Sequence, residues 1–463
     1  MGCSHFLTQE PILKQSNELV TASYKGLNSA VLGAYSRLAD ASWYGANYVL
    51  DAEMRSGNGK LAFINGYGSG RSATSYNFAY TPNTTSGVWG LGYYIIGAAN
   101  TVLLNLDGKE DNNVTKQDLD NLKAEALFLR ALSHFDIVRL FAQPYSKDPN
   151  GAGVPIVLSA ESGALIARST VSEVYTQIIE DLKNAETLME DDYSRADDVT
   201  DPYAAVSKPA VQALLSRVYL NMQKWQECAD YSTKVINNTN YKMWTAAEYK
   251  KVWGADVPSK GEVIFEIYGI KANEYDGYWD GPSHMTNPDG YGDVAVSKDL
   301  VSLYAAGDVR NDFRAVDDAD LVWTKKYVGK GKGDAKNTPD VNNVIVLRLS
   351  EMYLNRAEAI ANGATVAGAS VLSDLNVITS NRNAKAYTTA TKDDIFTERR
   401  KELAFEGQFW FDSARCGKSI TRVDYVGDAK VQNISYPNYM FVLPIPQREI
   451  DVNPSLVQNE GYN

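Results

Sequence analysis

The heptapeptide Leu215-Ser216-Arg217-Val218-Tyr219-Leu220-Asn221 returns later in the chain as Leu349-Ser350-Glu351-Met352-Tyr353-Leu354-Asn355. Both copies read L-S-x-x-Y-L-N. On a helix, Leu, Ser and Tyr at this spacing fall on adjoining parts of one face. The small Ser admits a neighbouring helix closely, and the Tyr fills the groove beside it. Tetratricopeptide-like helix pairs pack this way. The competing reading is two ordinary amphipathic helices. The repeat predicts a mainly α fold: a helix-pair scaffold, of the kind that usually serves binding.

The flanking sequence extends this frame. Residues 1–23 read as a polar tether, and 24–463 as one domain. Helical periodicity starts at Ser23 and resumes over 89–106. Thr115 followed by Asp118 starts a long helix ending before Gln143-Pro144-Tyr145, and Thr170 caps another. Residues 207–222 and 224–237 form a tight pair. Helices return at 344–361, 367–382 and 393–414. The scaffold is therefore 24–260 and 345–414. An irregular insertion with short strands, including 262–267, occupies 261–344, and an extended tail runs over 415–463. Residues 55–86 are rich in Gly, Ser, Asn and Tyr and read as a long loop. Lys325, Lys326, Lys330 and Lys332, among glycines, read as a solvated loop.

Composition narrows the function. The chain has 463 residues and a net charge of −12, which argues against nucleic acid and against a basic membrane-binding patch. No apolar run reaches the roughly eighteen residues of a membrane-spanning helix. The three histidines, His5, His134 and His284, lack metal-ligand spacing, and no nucleophile elbow or phosphate loop is present. Asp289 and Asp293 could flank a cation, but their spacing fits a loop turn better than a calcium loop. The chain is expected to be neither an enzyme nor a holder of metal or cofactor. A hydrolase built on two distant carboxylates is a remote third reading.

Cys3 stands apart from Cys228 and Cys416, which lie in helical patterns and read as packed thiols. Gly2-Cys3-Ser4 fits the end of a bacterial lipoprotein cleavage site, with Cys3 as the lipid attachment point. An incidental cysteine in a tail is the alternative.

Several stretches together resemble the SusD/RagB family of Bacteroidetes outer-membrane lipoproteins. They are Glu125-Ala126-Leu127-Phe128-Leu129-Arg130-Ala131, Gly153-Val154-Pro155-Ile156, residues 346–359, Glu398 to Gly407, Arg415, Leu443-Pro444-Ile445-Pro446, and Asn453 to Tyr462. The resemblance implies tetratricopeptide-like pairs carrying an irregular ligand-binding half. It also implies a lipid anchor at the cell surface, a partner TonB-dependent transporter, and capture of glycan without chemistry on it. A peptide-binding member of the same system, or a structural lid with no ligand, is the alternative. The charge run Glu398 to Glu402 is expected to be scaffold.

Sugars present apolar faces ringed by hydroxyls, so aromatic rings on loops, with polar neighbours, are the candidate contacts. Two segments qualify. One holds Arg71, Tyr76, Tyr80 and Asn83. The other holds Tyr275, Tyr278, Trp279 and Tyr291, with Trp279 the first choice because Gly277 and Pro282 bracket it in a turn.

Overall fold

The computed structural model describes residues 17–62, 70–159, 165–195, 201–254, 261–269, 281–315, 321–329 and 342–462. Cys3, Tyr275, Tyr278 and Trp279, and Lys330 and Lys332, lie outside them.

Helices α1 (Asn17–Thr21), α2 (Tyr24–Leu38) and α3 (Asn47–Ser56) lead into strand β1 (Gly59–Leu61) and the short α4 (Ala73–Tyr76). The scaffold continues through α5 (Val88–Asn105), α6 (Lys116–Phe141), α7 (Val171–Leu188), α8 (Lys208–Asn221), α9 (Trp225–Ile236) and α10 (Ala246–Val252). Local chemistry starts these helices. The Ser23 hydroxyl accepts the Gly26 N–H, and Thr115, Thr170 and Thr245 form reciprocal capping boxes with Asp118, Glu173 and Glu248. Each such cap stabilises its helix by about 1 kcal/mol.

The insertion carries β2 (Val263–Ile267), α11 (Pro282–Met285), β3 (Val294–Val296), α12 (Lys298–Ser302), β4 (Phe313–Ala315) and β5 (Val322–Thr324). Then come β6 (Val344–Arg348), α13 (Leu349–Ala361), α14 (Val371–Asn381), α15 (Lys392–Glu402) and α16 (Phe409–Arg415). The tail holds β7 (Ile420–Thr421), β8 (Asn433–Ile434) and α17 (Gln447–Val452). All strand pairs are antiparallel and two-stranded: β1 with β3, β2 with β6, β4 with β5, and β7 with β8.

Four sequence expectations need correction. Residues 344–348 are strand, not helix; Val344, Ile345 and Val346 are β-branched, and β2 supplies their partner edge. The helix expected over 393–414 is two helices, because Phe405 and Gly407 adopt left-handed backbone at φ 62° and 73°. Within 55–86, β1 is a buried strand and α4 a short helix that buries Ser75 and Tyr76, rather than open loop. Lys326 is buried against Glu406 at 2.5 Å, and Lys325 pairs with Asp312 at 2.6 Å, so neither floats in solvent.

The core runs along α6, which is buried on nearly every side. Its charges are consequently all matched. Glu125 accepts from Arg195, Tyr35 and Tyr193, Arg130 grips Asp181, and Asp136 accepts from Trp43, Tyr44, Tyr48 and Arg139. The charge run of α15 is buried too. Glu398 and Glu402 meet Arg310, and Glu402 also meets Arg348 and Arg382. Those three guanidiniums hold the Glu402 carboxyl well below its ordinary range against the opposing effect of burial. Leu443 and Ile445 of the tail are buried, and the Leu443 N–H reaches the Leu140 carbonyl at 2.8 Å, closing the tail onto α6.

Candidate ligand-binding surface

Asp293, immediately before β3, organises one irregular face of the protein. Its buried carboxylate accepts the backbone N–H groups of Gly70 (3.1 Å) and Arg71 (2.7 Å). Its carbonyl accepts the N–H of Ala62 at 3.1 Å. The chain on both sides of 63–69 is thus fastened to one residue. Trp323, buried in β5, donates its indole N–H to the Gly292 carbonyl at 3.1 Å and fixes the same turn from behind. Asp289 is paired with Arg314 at 2.5 Å. Among the described residues, no group of three metal-ligating side chains is present.

This frame presents Arg71 and Tyr291 together. The exposed Arg71 guanidinium lies 4.2 Å above the centre of the half-buried Tyr291 ring, and its Nη2 donates to the Tyr291 hydroxyl at 3.2 Å. A guanidinium over a ring is held there by the electrostatic attraction of the ring face.

A second group adjoins the first through α4. Tyr76 is buried and stacks on Tyr425 of the tail, ring centres 4.7 Å apart. Burial pushes the Tyr76 hydroxyl up to about 12, so it stays neutral, and it accepts the Val426 N–H. Arg422 sits 4.0 Å from the centre of the Tyr425 ring and 4.9 Å from that of Tyr76. Asn77 Oδ1 accepts the Tyr425 hydroxyl at 2.7 Å and the Asp428 N–H at 3.3 Å. At Gly427, any Cβ would meet Asn77 Oδ1 and the Tyr425 hydroxyl and displace one of them, so glycine lets the loop keep this contact. Asp424 ties this loop to the first group, pairing with Lys60 of β1 at 3.1 Å and accepting the Lys298 N–H at 3.1 Å.

Of the sequence candidates, Arg71 and Tyr291 are therefore brought together at the surface. Tyr76 stands behind it as support. Tyr80 is buried, its hydroxyl donating to Asp51 at 3.0 Å, and burial raises it well above the ordinary tyrosine range. Asn83 is exposed in the turn closed by the Thr84 N–H and the Thr81 carbonyl, where the Pro82 carbonyl accepts the Gln447 N–H, and it makes no hydrogen bond to the Asp293 turn among the described residues. Tyr425 and Arg422 were missed, because the tail read as plain extended chain. The cue was local: Arg422, Tyr425 and Gly427 within one short polar stretch.

Comparison with known proteins agrees with this architecture. The SusD-like family described as starch-binding associating with outer membrane matches residues 6–220, and the SusD family matches 317–462. SusD-like protein P2 of Formosa agariphila is 25% identical, with 100% of this chain and 97% of that protein covered. The starch-binding protein SusD of Bacteroides thetaiotaomicron is 23% identical over 84% of this chain and 80% of its own. A SusD superfamily crystal structure from Bacteroides thetaiotaomicron superposes with a TM-score of 0.83 at 29% identity, covering 94% of this chain and 99% of that one. A putative sugar binding protein from Bacteroides vulgatus gives 0.82 at 28% identity, covering 95% and 99%. With matches of one family over residues 6–220 and 317–462, and a shared fold over 94–95% of its length, the chain belongs to the SusD/RagB family.

Proposed function

We propose that this protein captures glycan at the outer face of the outer membrane and passes it, chemically unchanged, to a TonB-dependent transporter. The observation that carries the reading is the Arg71 guanidinium 4.2 Å from the centre of the Tyr291 ring, with Arg71 held by the Asp293 carboxylate. Tyr291 and Tyr425 supply rings for the apolar face of a sugar, Arg71 supplies N–H donors for its hydroxyls, and Asn77, whose Oδ1 and Nδ2 are both bonded within the protein, holds Tyr425 in place. Tyr275, Tyr278 and Trp279 extend the proposal on their sequence setting alone, and Asn83 is a peripheral candidate. Family membership and the names of the relatives support carbohydrate as the ligand class. Lipid attachment at Cys3 and the transporter partnership belong to the same proposal. No described helix is long and apolar enough to cross a membrane.

The test is calorimetric titration of the protein against a panel of neutral and acidic oligosaccharides and short peptides. Binding to an oligosaccharide that weakens about tenfold in Arg71→Ala or Tyr425→Ala supports the reading. Binding to peptides alone, or a glycan affinity untouched by both substitutions, rejects it. For the anchor, Cys3→Ala should release the protein from membranes.

A further inference from the structure

A cleft of about 500 Å³ opens elsewhere, between the first turn of α5, the extended segments 153–158 and 165–169, and α17. Trp89 and Tyr93 form its floor, and Val157, Leu165, Val452 and Leu456 its walls. Its rim is unusually apolar for a surface. Leu165 is 57% exposed and Val452 68%, and next to the lining residues Leu158 and Val457 are 44% and 70% exposed. Such a concentration of open aliphatic side chains marks a contact surface.

The polar groups of the cleft are already engaged. The Tyr93 hydroxyl donates to the Pro155 carbonyl at 2.9 Å. Asn453 donates to the Ile166 carbonyl at 2.9 Å and accepts the Ser455 N–H at 3.1 Å. Little is left for sugar hydroxyls. The backbone is different. The two segments pair at their base, where Gly153 N–H meets the Ser169 carbonyl (2.7 Å) and Ser169 N–H the Val154 carbonyl (3.2 Å). Beyond that, the N–H groups of Ile156, Val157, Ile166 and Ala167 have no acceptor among the described residues. Extended chain with open N–H groups beside an apolar trough fits another extended chain. An acyl chain would fill the trough and leave those donors bare.

We propose that this cleft docks an extended apolar segment of a partner polypeptide. Its side chains pack on Trp89, Tyr93, Val452 and Leu456, and its carbonyls accept from the open N–H groups of one segment. Asp451 on α17, which accepts from Gln447 at 2.8 Å and has no ion pair among the described residues, favours a basic residue at the segment's end; Glu449 is already paired with Arg448 at 3.2 Å.

The probe is a fluorescein-labelled peptide of alternating valine and threonine with a lysine at each end, titrated by fluorescence polarisation onto the full chain. Expected are saturable binding, weakening of about tenfold or more in the Leu165→Asp, Val452→Asp double variant, and slower amide exchange in 156–158 or 165–167 on binding. Both substituted side chains are exposed, so the double variant should melt with the parent. No binding at about millimolar peptide, binding unaffected by the double variant, or unchanged exchange in both segments would each overturn the proposal. So would full displacement by a dodecyl maltoside monomer, which would assign the cleft to alkyl chains.

Discussion

Arg217 and Glu351 hold the third position of the two L-S-x-x-Y-L-N copies, and they bind each other. Arg217 Nε and Nη2 donate to the two Glu351 carboxylate oxygens at 2.7 and 2.6 Å, with both side chains buried. The seventh position of one copy also meets the second of the other: Asn355 Nδ2 donates to Ser216 Oγ at 3.0 Å. Ser216 shares a further hydrogen bond with Ser232 of α9 at 2.7 Å, and Tyr219 stacks on Tyr231. The two copies are therefore mutual partners across the scaffold.

Breaking this pair on one side leaves a buried charge. Arg217→Met should destabilise the protein by about 3–5 kcal/mol, and adding Glu351→Leu should recover most of that loss. Urea denaturation of the two variants measures it. Equal loss in the single and double variants would show that the pair itself is not what matters.

Asp293→Asn replaces a carboxylate that accepts two backbone N–H groups with an amide that has one accepting atom. The amide NH₂ then faces a donor. Glycan affinity should fall by about 1–3 kcal/mol as Arg71 loses its register over Tyr291. Calorimetry on Asp293→Asn reads this directly, and wild-type affinity would contradict the role assigned to Asp293.

Gly427→Ala tests the second group. The added methyl must push Asn77 or Tyr425 aside. Glycan binding should weaken, while the melting temperature stays within a few degrees of wild type because the loop is at the surface. A variant that binds normally would exclude the Asn77–Tyr425 edge from the site.

Glu53 sets a pH dependence. It is buried, and burial lifts its carboxyl from 4.5 to about 7, outweighing hydrogen bonds from Asn58 and the Phe405 and Gly407 backbone. A raised folded-state value favours the protonated fold. The stability it confers is complete below pH 4.5 and lost as pH rises through about 7. Relative to Glu53→Gln, which has no such titration, wild type should lose on the order of 3 kcal/mol between those limits. Parallel thermal melts of both proteins across that range check it; a difference that does not change with pH would refute the assignment.

The helical frame was legible because helix signals are local. Ser23, Thr115 and Thr170 cap helices where the spacing places them, and the repeat marks two helices that do pack together. Residues 344–348 were misread because apolar β-branched runs satisfy either period until a partner strand is known. Residues 403–408 were misread because Phe405 carries no sequence sign of left-handed backbone. At the surface, Arg71 and Tyr291 were singled out separately as a loop guanidinium and a loop ring. Tyr76 and Tyr80 have the same composition and context, yet α4 turns Tyr76 inward and Tyr80, beyond it, is buried with its hydroxyl on Asp51.

Sequence alone determined the secondary-structure period, the capping chemistry and the family, since these depend on residues a few positions apart or on motifs in order. Tertiary structure alone decided that Asp293 gathers Ala62, Gly70 and Arg71, that Tyr425 of the tail reaches Tyr76, and that Arg217 chooses Glu351. Each of those contacts joins residues remote in the chain. Their geometry follows from how whole elements pack, and buried charges and donors accept only the partner that packing brings within reach.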